Sequence, residues 1–138
     1  MPDRTLKLEV ITPDRVVYAN DHVVSVIAPG VEGYLGALAN RAPLLTALDV
    51  GEIDFRKTDG DWDYIALSGG FMEVFENKVT VLGETAELME EIDVGRAEQA
   101  RDRAKERLTT RAPELDIDRA QVALKRALTR LRVAQRKS

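Results

Sequence analysis

The hexapeptide "IDVGRA" at residues 92–97 marks the point where the pattern of the chain changes. Before it, short apolar runs alternate with turn residues; after it, alanines and charged residues recur at helical spacing. Asp93 is suited to cap a helix, because its carboxylate can accept the free N–H groups of the opening turn. The stretch therefore predicts a boundary between a β domain, residues 1–88, and a helical domain, residues 89–138.

The residues before this boundary predict antiparallel β structure. In "LKLEVIT" (6–12) apolar and polar residues alternate with the period of a half-buried strand. The turn signals "TDG" (58–60) and "ENK" (76–78) separate further apolar runs and predict short hairpins. In "SGGFMEV" (68–74) we expect turn glycines and inward-pointing Phe71 and Val74. Short strands with no helices between them predict a sandwich or a barrel.

The residues after the boundary predict two helices that form an antiparallel hairpin. Pro113 cannot continue a helix and ends the first one. Asp118 and Gln121 resemble a capping box for the second. Each helix has one apolar stripe: Ala97, Ala100, Ala104 and Leu108 on the first, and Ala120, Leu124, Ala127, Leu131 and Ala134 on the second. The predicted class is α+β, an N-terminal antiparallel β-sandwich or barrel followed by a C-terminal antiparallel two-helix hairpin.

Composition argues against an enzyme. The chain has no cysteine and one histidine, His22, so it lacks a thiolate nucleophile and the imidazoles of a metal cage or catalytic triad. We expect no catalytic and no metal-ligating residues. There is no apolar run near the roughly 18 residues of a membrane span and no signal-peptide pattern, which predicts a protein on the cytoplasmic side.

Charge is distributed unevenly along the chain. Residues 1–91 carry 7 basic and 17 acidic side chains, a net charge of −10, whereas residues 116–138 carry 7 basic and 2 acidic ones, a net charge of +5. An acidic body with a basic tail predicts either docking of the tail on the body or an acidic partner. Nucleic acid is a weaker alternative, because no aromatic side chains lie among the arginines.

The stripe of the first helix predicts weak docking. Three alanines and one leucine contribute about 4–5 kcal/mol before conformational entropy is subtracted. A ligand at about 100 times its dissociation constant adds about 2.7 kcal/mol to the state that binds it. A modest ligand could therefore decide whether the hairpin is folded against the body.

Arginines recur on both helices in rows that suit a polyphosphate. Arg119, Arg126 and Arg130 fall within about 40° of one another, opposite the apolar stripe, and Arg96, Arg103 and Arg107 cluster beside the alanines. Arginine can clamp phosphate with two hydrogen bonds, and the helix N-terminus at Asp93 attracts anionic oxygen. The plain alternative is a solvated charged face. No phosphate-binding loop of the form GxxxxGK[ST] is present, which excludes an ordinary nucleoside triphosphatase site.

Four further stretches of the sequence are distinctive: "GYLGALANRAPLLTALDVG" (33–51), "YIALSGGFMEV" (64–74), "KVTVLGETAE" (78–87) and "LKRALTRLRVA" (124–134). They resemble the epsilon subunit of F-type ATP synthases, and the resemblance covers essentially the whole chain. It implies a rotor subunit at the cytoplasmic face of a bacterial membrane, bound to the gamma subunit and the c-ring and touching the membrane only through that ring. It also implies a hairpin that inhibits ATP hydrolysis when it extends into the alpha/beta catalytic head.

The resemblance also implies a regulatory ATP site. Bacterial members that bind ATP carry an Ile/Leu-Asp-x-x-Arg-Ala motif, which residues 92–97 match. Bound ATP, with or without Mg²⁺, would stabilise the folded-down hairpin; the alternative is the same coupling subunit acting by protein contacts alone. The residues implied are Glu87, Ile92, Asp93, Arg96, Ala97, Arg103, Arg126 and Arg130.

The predicted c-ring contact departs from the family. Tyr34 stands where an acidic residue is common, and Arg41 stands where the family commonly has histidine, although Ala42 and the following proline are retained. We expect Tyr34, Arg41 and Ala42 to face the ring, with polar contacts that differ from those of other members.

Overall fold

A computed structural model describes residues 5–136. The strands are β1 Leu6–Ile11, β2 Val16–Gly30, β3 Gly33–Leu38, β4 Leu44–Lys57, β5 Trp62–Phe75, β6 Lys78–Gly83 and β7 Ala86–Leu88. The sheet closes on itself, because β1 pairs with both β6 and β2, the two ends of the path β6-β5-β4-β2. β3 lies outside β2, and β7 pairs with β5.

The predicted sandwich or barrel is confirmed, with one parallel pair inside it. β1 runs parallel to β6, whereas the other strand pairs are antiparallel. The alternation of apolar and polar residues reports which face of a strand is buried, but it carries no information about the direction of its neighbour. The parallel pair therefore could not be predicted from β1 itself.

Both predicted hairpins are present. Gly60 has a φ of +93° in the turn between β4 and β5. Glu76 and Asn77 both have positive φ, +47° and +61°, as a two-residue turn between antiparallel strands requires. The Asn77 side chain also accepts a hydrogen bond from the backbone N–H of Asn40 at 2.6 Å, which ties this turn to the loop after β3.

The core lies inside the closed sheet and includes Phe55, Ile53 and Ile65, all fully buried. The expectation for Phe71 was wrong: its side chain is 57% exposed, whereas Val74 is buried as predicted. Alternate residues of a strand point to opposite faces, so two residues three apart cannot both point inward without a bulge.

The helical part begins with a 3₁₀ turn, Met89–Glu91, followed by α1, Val94–Thr110, and α2, Ile117–Ala134. Asp93 caps α1 as predicted, its Oδ1 accepting from the Arg96 N–H at 3.1 Å. The cap predicted for α2 was wrong, because Asp116 takes that role with a 3.0 Å bond from the Arg119 N–H. Asp118 lies inside the first turn, where its charge still complements the helix dipole.

The helices pack in sequence onto the sheet. α1 packs chiefly on α2, where Ala97, Ala104, Ala120 and Ala127 are buried. α2 in turn contacts β4 and β5, and it buries Thr129 and Val133 in addition to the alanines. α2 therefore has two buried faces, and α1 is joined to the body mainly through it. Neither helix among residues 5–136 is long and apolar enough to cross a membrane.

Candidate functional site

The arginine row of α2 lies between the two buried faces of that helix. Arg126 and Arg130 are about 60–100° around the axis from both Ala127, which faces α1, and Thr129, which is buried on the other side. The expectation that this row lies opposite the apolar stripe was therefore wrong. The sheet covers one side of α2 and α1 covers another. The two guanidinium groups therefore lie along the line where α1, α2 and the sheet meet.

Two carboxylates of the body meet these arginines. Arg130 Nε lies 2.5 Å from Glu87 Oε1, and Arg126 Nη2 lies 3.8 Å from Glu84 Oε2. Glu87 belongs to β7, and Glu84 lies in the turn just before that strand. The predicted group of Glu87, Arg126 and Arg130 is thus brought together in the docked hairpin, and Glu84 joins it.

Part of the wall of this cleft is formed by hydroxyl groups. The hydroxyl groups of Ser68 and Thr85 lie 2.6 Å apart, and the Thr85 N–H donates to Ser68 Oγ at 2.9 Å. Both residues line the small cleft that also includes Thr129. The sequence did not indicate these three residues. Ser68 and Thr85 are typical of turns, and Thr129 lies outside the apolar stripe predicted for the second helix.

A second groove runs between the two helices near their connection. Arg107 of α1 and Arg119 of α2 line it together, so arginines of both helices face one space. Arg126 lines both this groove and the cleft against the sheet. It therefore stands at the junction of two cationic surfaces, a position that suits an elongated polyanion.

The boundary motif supplies less of the site than the sequence suggested. Asp93 uses one carboxylate oxygen to cap α1, and Ala97 is buried against α2, while Ile92 is half-buried. The Arg96 and Arg103 side chains are exposed, and neither makes an ion pair with another residue of 5–136. They remain available to an added anion but are not gathered around one.

The residues expected to face the c-ring are all exposed, but they do not form one patch. Tyr34 is 59% exposed and lines a cleft with Lys125 of α2 at one end of β3. Arg41 and Ala42 lie beyond the other end of that strand, where the Arg41 guanidinium donates to the carbonyl of Ala42 at 3.4 Å. Among residues 5–136, no group of His, Asp and Glu is arranged to hold a metal ion.

Comparison with known proteins defines the class to which this architecture belongs. The model of the "ATP synthase, Delta/Epsilon chain, beta-sandwich domain" matches residues 5–89. The model of the "ATP synthase, Delta/Epsilon chain, long alpha-helix domain" matches residues 90–135. The chain belongs to the ATP synthase delta/epsilon chain family.

Within this family the chain is similar to epsilon chains of bacteria, which confirms the resemblance seen in the sequence. It is 49% identical to the ATP synthase epsilon chain of Moorella thermoacetica over 94% of this chain and 96% of that relative. It is 52% identical to the epsilon chain of Pelotomaculum thermopropionicum, over 97% and 98% of the two chains.

A solved structure supports the fold. A chain in the structure of the Euglena gracilis mitochondrial ATP synthase, described as OSCP/F1/c-ring, superposes with a TM-score of 0.80 at 23% identity. The match covers 97% of this chain and 82% of that one. At this identity the likeness concerns the fold, and it extends over both the sandwich and the helices.

Proposed function

We propose that the chain is a central-stalk subunit that couples the catalytic head of an F-type ATP synthase to its c-ring. It contributes no catalytic residue and regulates ATP hydrolysis through its hairpin. Its partners are the gamma subunit, the c-ring and the alpha/beta head, and it lies peripherally at the cytoplasmic face of the membrane. Family membership and the similarity to bacterial epsilon chains support this role.

Weak docking of the hairpin supports a regulatory switch. The side chains that α1 and α2 bury are mostly small, and the ion pairs at Glu84 and Asp49 are solvent-exposed. Exposed ion pairs contribute about 0–1 kcal/mol each. These exposed pairs and small side chains therefore contribute little to docking, on the scale of the binding energy of a single ligand.

ATP is the ligand that suits the docked state. Its phosphates would pair with Arg126 and Arg130, which now face carboxylates, and Arg103 and Arg96 are free to approach from α1. Glu87 would then be released to accept a hydrogen bond from the base or the ribose. Because the site includes groups from both helices and from β7, ATP stabilises the arrangement in which all three are together.

An undocked hairpin would present its basic side chains to the catalytic head. The excess of basic residues in 116–138 complements acidic surface there, which would hold the extended hairpin and inhibit hydrolysis. The exposed side chains of Tyr34, Arg41 and Ala42 are proposed contacts with the c-ring.

The position of Arg126 at the junction of the two clefts carries the ATP proposal, and calorimetry tests it. ATP titrated into the full chain at millimolar concentration, with and without Mg²⁺, should give saturable heat. Arg126→Ala should weaken binding at least about tenfold, equivalent to about 1.4 kcal/mol. Arg41→Ala is the matched control, because it removes the same charge far from the clefts and should leave the affinity unchanged.

One observation favours the second candidate, coupling without nucleotide. Arg126 and Arg130 already have carboxylate partners, so the docked hairpin is complete without an added anion. In that case ATP produces no heat with the wild-type chain, while assembly with the gamma subunit is retained by Arg126→Ala.

A further inference from the structure

A second ionic contact, outside the arginine cleft, joins the C-terminal end of α2 to β4. Glu52 of β4 is only 3% exposed, and its carboxylate accepts three hydrogen bonds, one from Arg132 of α2 and two from Arg136, which lies two residues after that helix. Arg132 Nε donates at 2.7 Å, and Arg136 donates through Nε at 3.1 Å and Nη2 at 3.0 Å. Among the carboxylates of residues 5–136, that of Glu52 is the most buried.

Asp54 is the unusual member of this cluster. It lies two residues after Glu52 on β4, so both side chains point to the same face of the strand. Its Oδ1 is buried and receives no hydrogen bond from any residue of 5–136. Two ionised carboxylates cannot form a hydrogen bond with each other, because neither carries a hydrogen-bond donor. A proton on Asp54 would supply the missing donor toward Glu52.

The electrostatics of the pair agree with a shared proton. Burial, followed by the neighbouring Glu52 carboxylate, raises the pKa of Asp54 to about 7, although Arg136 and Arg132 act in the opposite direction. Burial opposes ionisation of Glu52 as well. Hydrogen bonds with Asp54, Arg136 and Arg132 nevertheless outweigh it and lower the pKa of Glu52 to about 2.

The other groups around the cluster are known. Asp54 pairs across the sheet with Ile27 of β2, which is uncharged, and with Tyr64 of β5. The Arg136 guanidinium lies 5.4 Å from the centre of the Tyr64 ring. Titratable groups further out line the adjoining clefts: Lys57, Asp61, Asp63 and Glu90 beside Arg136, and Asp49 and Lys125 beside Arg132. The charged groups that act on Asp54 itself are Glu52, Arg132 and Arg136.

We propose that Glu52, Asp54, Arg132 and Arg136 form a proton-binding latch that holds the docked hairpin and loosens as the solution becomes alkaline. The hairpin creates the burial that favours a neutral Asp54, so docking and protonation support each other. The docked state binds this proton more tightly, and the resulting stabilisation is lost as the pH rises through about 7. The pKa of Glu52 is shifted in the opposite direction, downward. The stabilisation from the ionised Glu52 carboxylate is therefore lost as the pH falls from the ordinary pKa of a glutamate toward about 2. The latch is therefore strongest in mildly acidic solution.

The latch rests on the proposed function in one respect, since it requires a hairpin that can leave the sandwich. Because the chain has no cysteine, the variants Thr58→Cys and Glu114→Cys place one spin label on the body and one on the turn of the hairpin. Without nucleotide, the docking equilibrium constant of the labelled full chain should fall about tenfold between pH 6 and pH 8.

Asp54→Asn, which keeps the shape of the side chain and removes its titration, should abolish this pH dependence. Asp49→Asn is the matched control: it weakens another contact with α2 but should leave the pH dependence intact, because the pKa of Asp49 is lowered.

A second measurement reads the proton directly. Carbon-13 NMR of the Asp54 carboxyl group in the full chain should give a titration midpoint near pH 7. A midpoint below pH 5, or an unchanged pH dependence in Asp54→Asn, would overturn the latch. A hairpin that opens without regard to pH refutes the latch alone, whereas a hairpin that stays docked at every pH refutes both the latch and the mobility required by the proposed function.

Discussion

At the scale of single residues, Gly70 shows how tightly the closed sheet is constrained. Its φ is +149°, and a Cβ at this position would lie 2.0 Å from the carbonyl oxygen of Leu82 on β6. Gly70→Ala should therefore lower the free energy of unfolding by more than about 2 kcal/mol, because both backbone strain and a clash are introduced. Urea unfolding of the full chain measures this change.

Gly36 provides the control for this substitution. It lies in a strand of ordinary backbone conformation, and the nearest atom to an added Cβ is 3.8 Å away. Gly36→Ala should leave the free energy of unfolding within about 0.5 kcal/mol of the wild-type value. Equal losses for the two variants would show that the position of Gly70 has no special role.

Of the two helix caps predicted from the sequence, the one at Asp93 is confirmed, whereas the one on α2 was assigned to Asp118 and belongs to Asp116. Asp93 could be identified as a cap because a cap acts on backbone groups within three residues of itself. The ion pairs of Arg130 with Glu87 and of Arg136 with Glu52 join residues 43 and 84 positions apart. No local pattern specifies such pairs. The family resemblance implied one shared site for Glu87 and Arg130 but not their ion pair, and nothing in the sequence pointed to Glu52.

At the scale of elements, the start of α2 makes a prediction that separates two neighbouring aspartates. Asp116 accepts a hydrogen bond from the first turn, whereas Asp118 contributes only its charge. Asp116→Ala should destabilise the helical part by about 1 kcal/mol, and Asp118→Ala by about 0.3 kcal/mol. Thermal unfolding followed by circular dichroism at 222 nm measures both; a larger loss for Asp118→Ala would contradict the assignment of the cap.

The sequence predicted the types and order of the helices and strands well, but it predicted less well which elements pack against each other. Helix and strand follow from the spacing of apolar residues, which each segment carries in its own sequence. The parallel pairing of β1 with β6 and the second buried face of α2 depend on what packs against those elements. Thr129 illustrates the limit, because a threonine among arginines gives no sign that it is buried.

At the scale of the whole molecule, the hairpin meets the sandwich through two separate groups of ionic contacts, the arginine cleft and the cluster around Glu52, in addition to the pair of Lys125 with Asp49. We propose that the arginine cleft around Arg126 and Arg130 responds to a polyanion and that the latch at Glu52 and Asp54 responds to protons. If both proposals hold, ATP and mildly acidic solution favour the same docked state. Their effects on docking should then be additive, because the two contacts share no residue.

Whether ATP favours the docked hairpin can be measured as a distribution of distances between the body and the hairpin. Spin labels on Thr58→Cys and Glu114→Cys report this separation at a fixed pH of 8, where the proposed latch would be loosened. Millimolar ATP should shift the distribution toward the single distance of the docked state, and Arg126→Ala should prevent this shift. A distribution that is identical with and without ATP, in a chain whose hairpin does open, would show that ATP does not stabilise the docked hairpin.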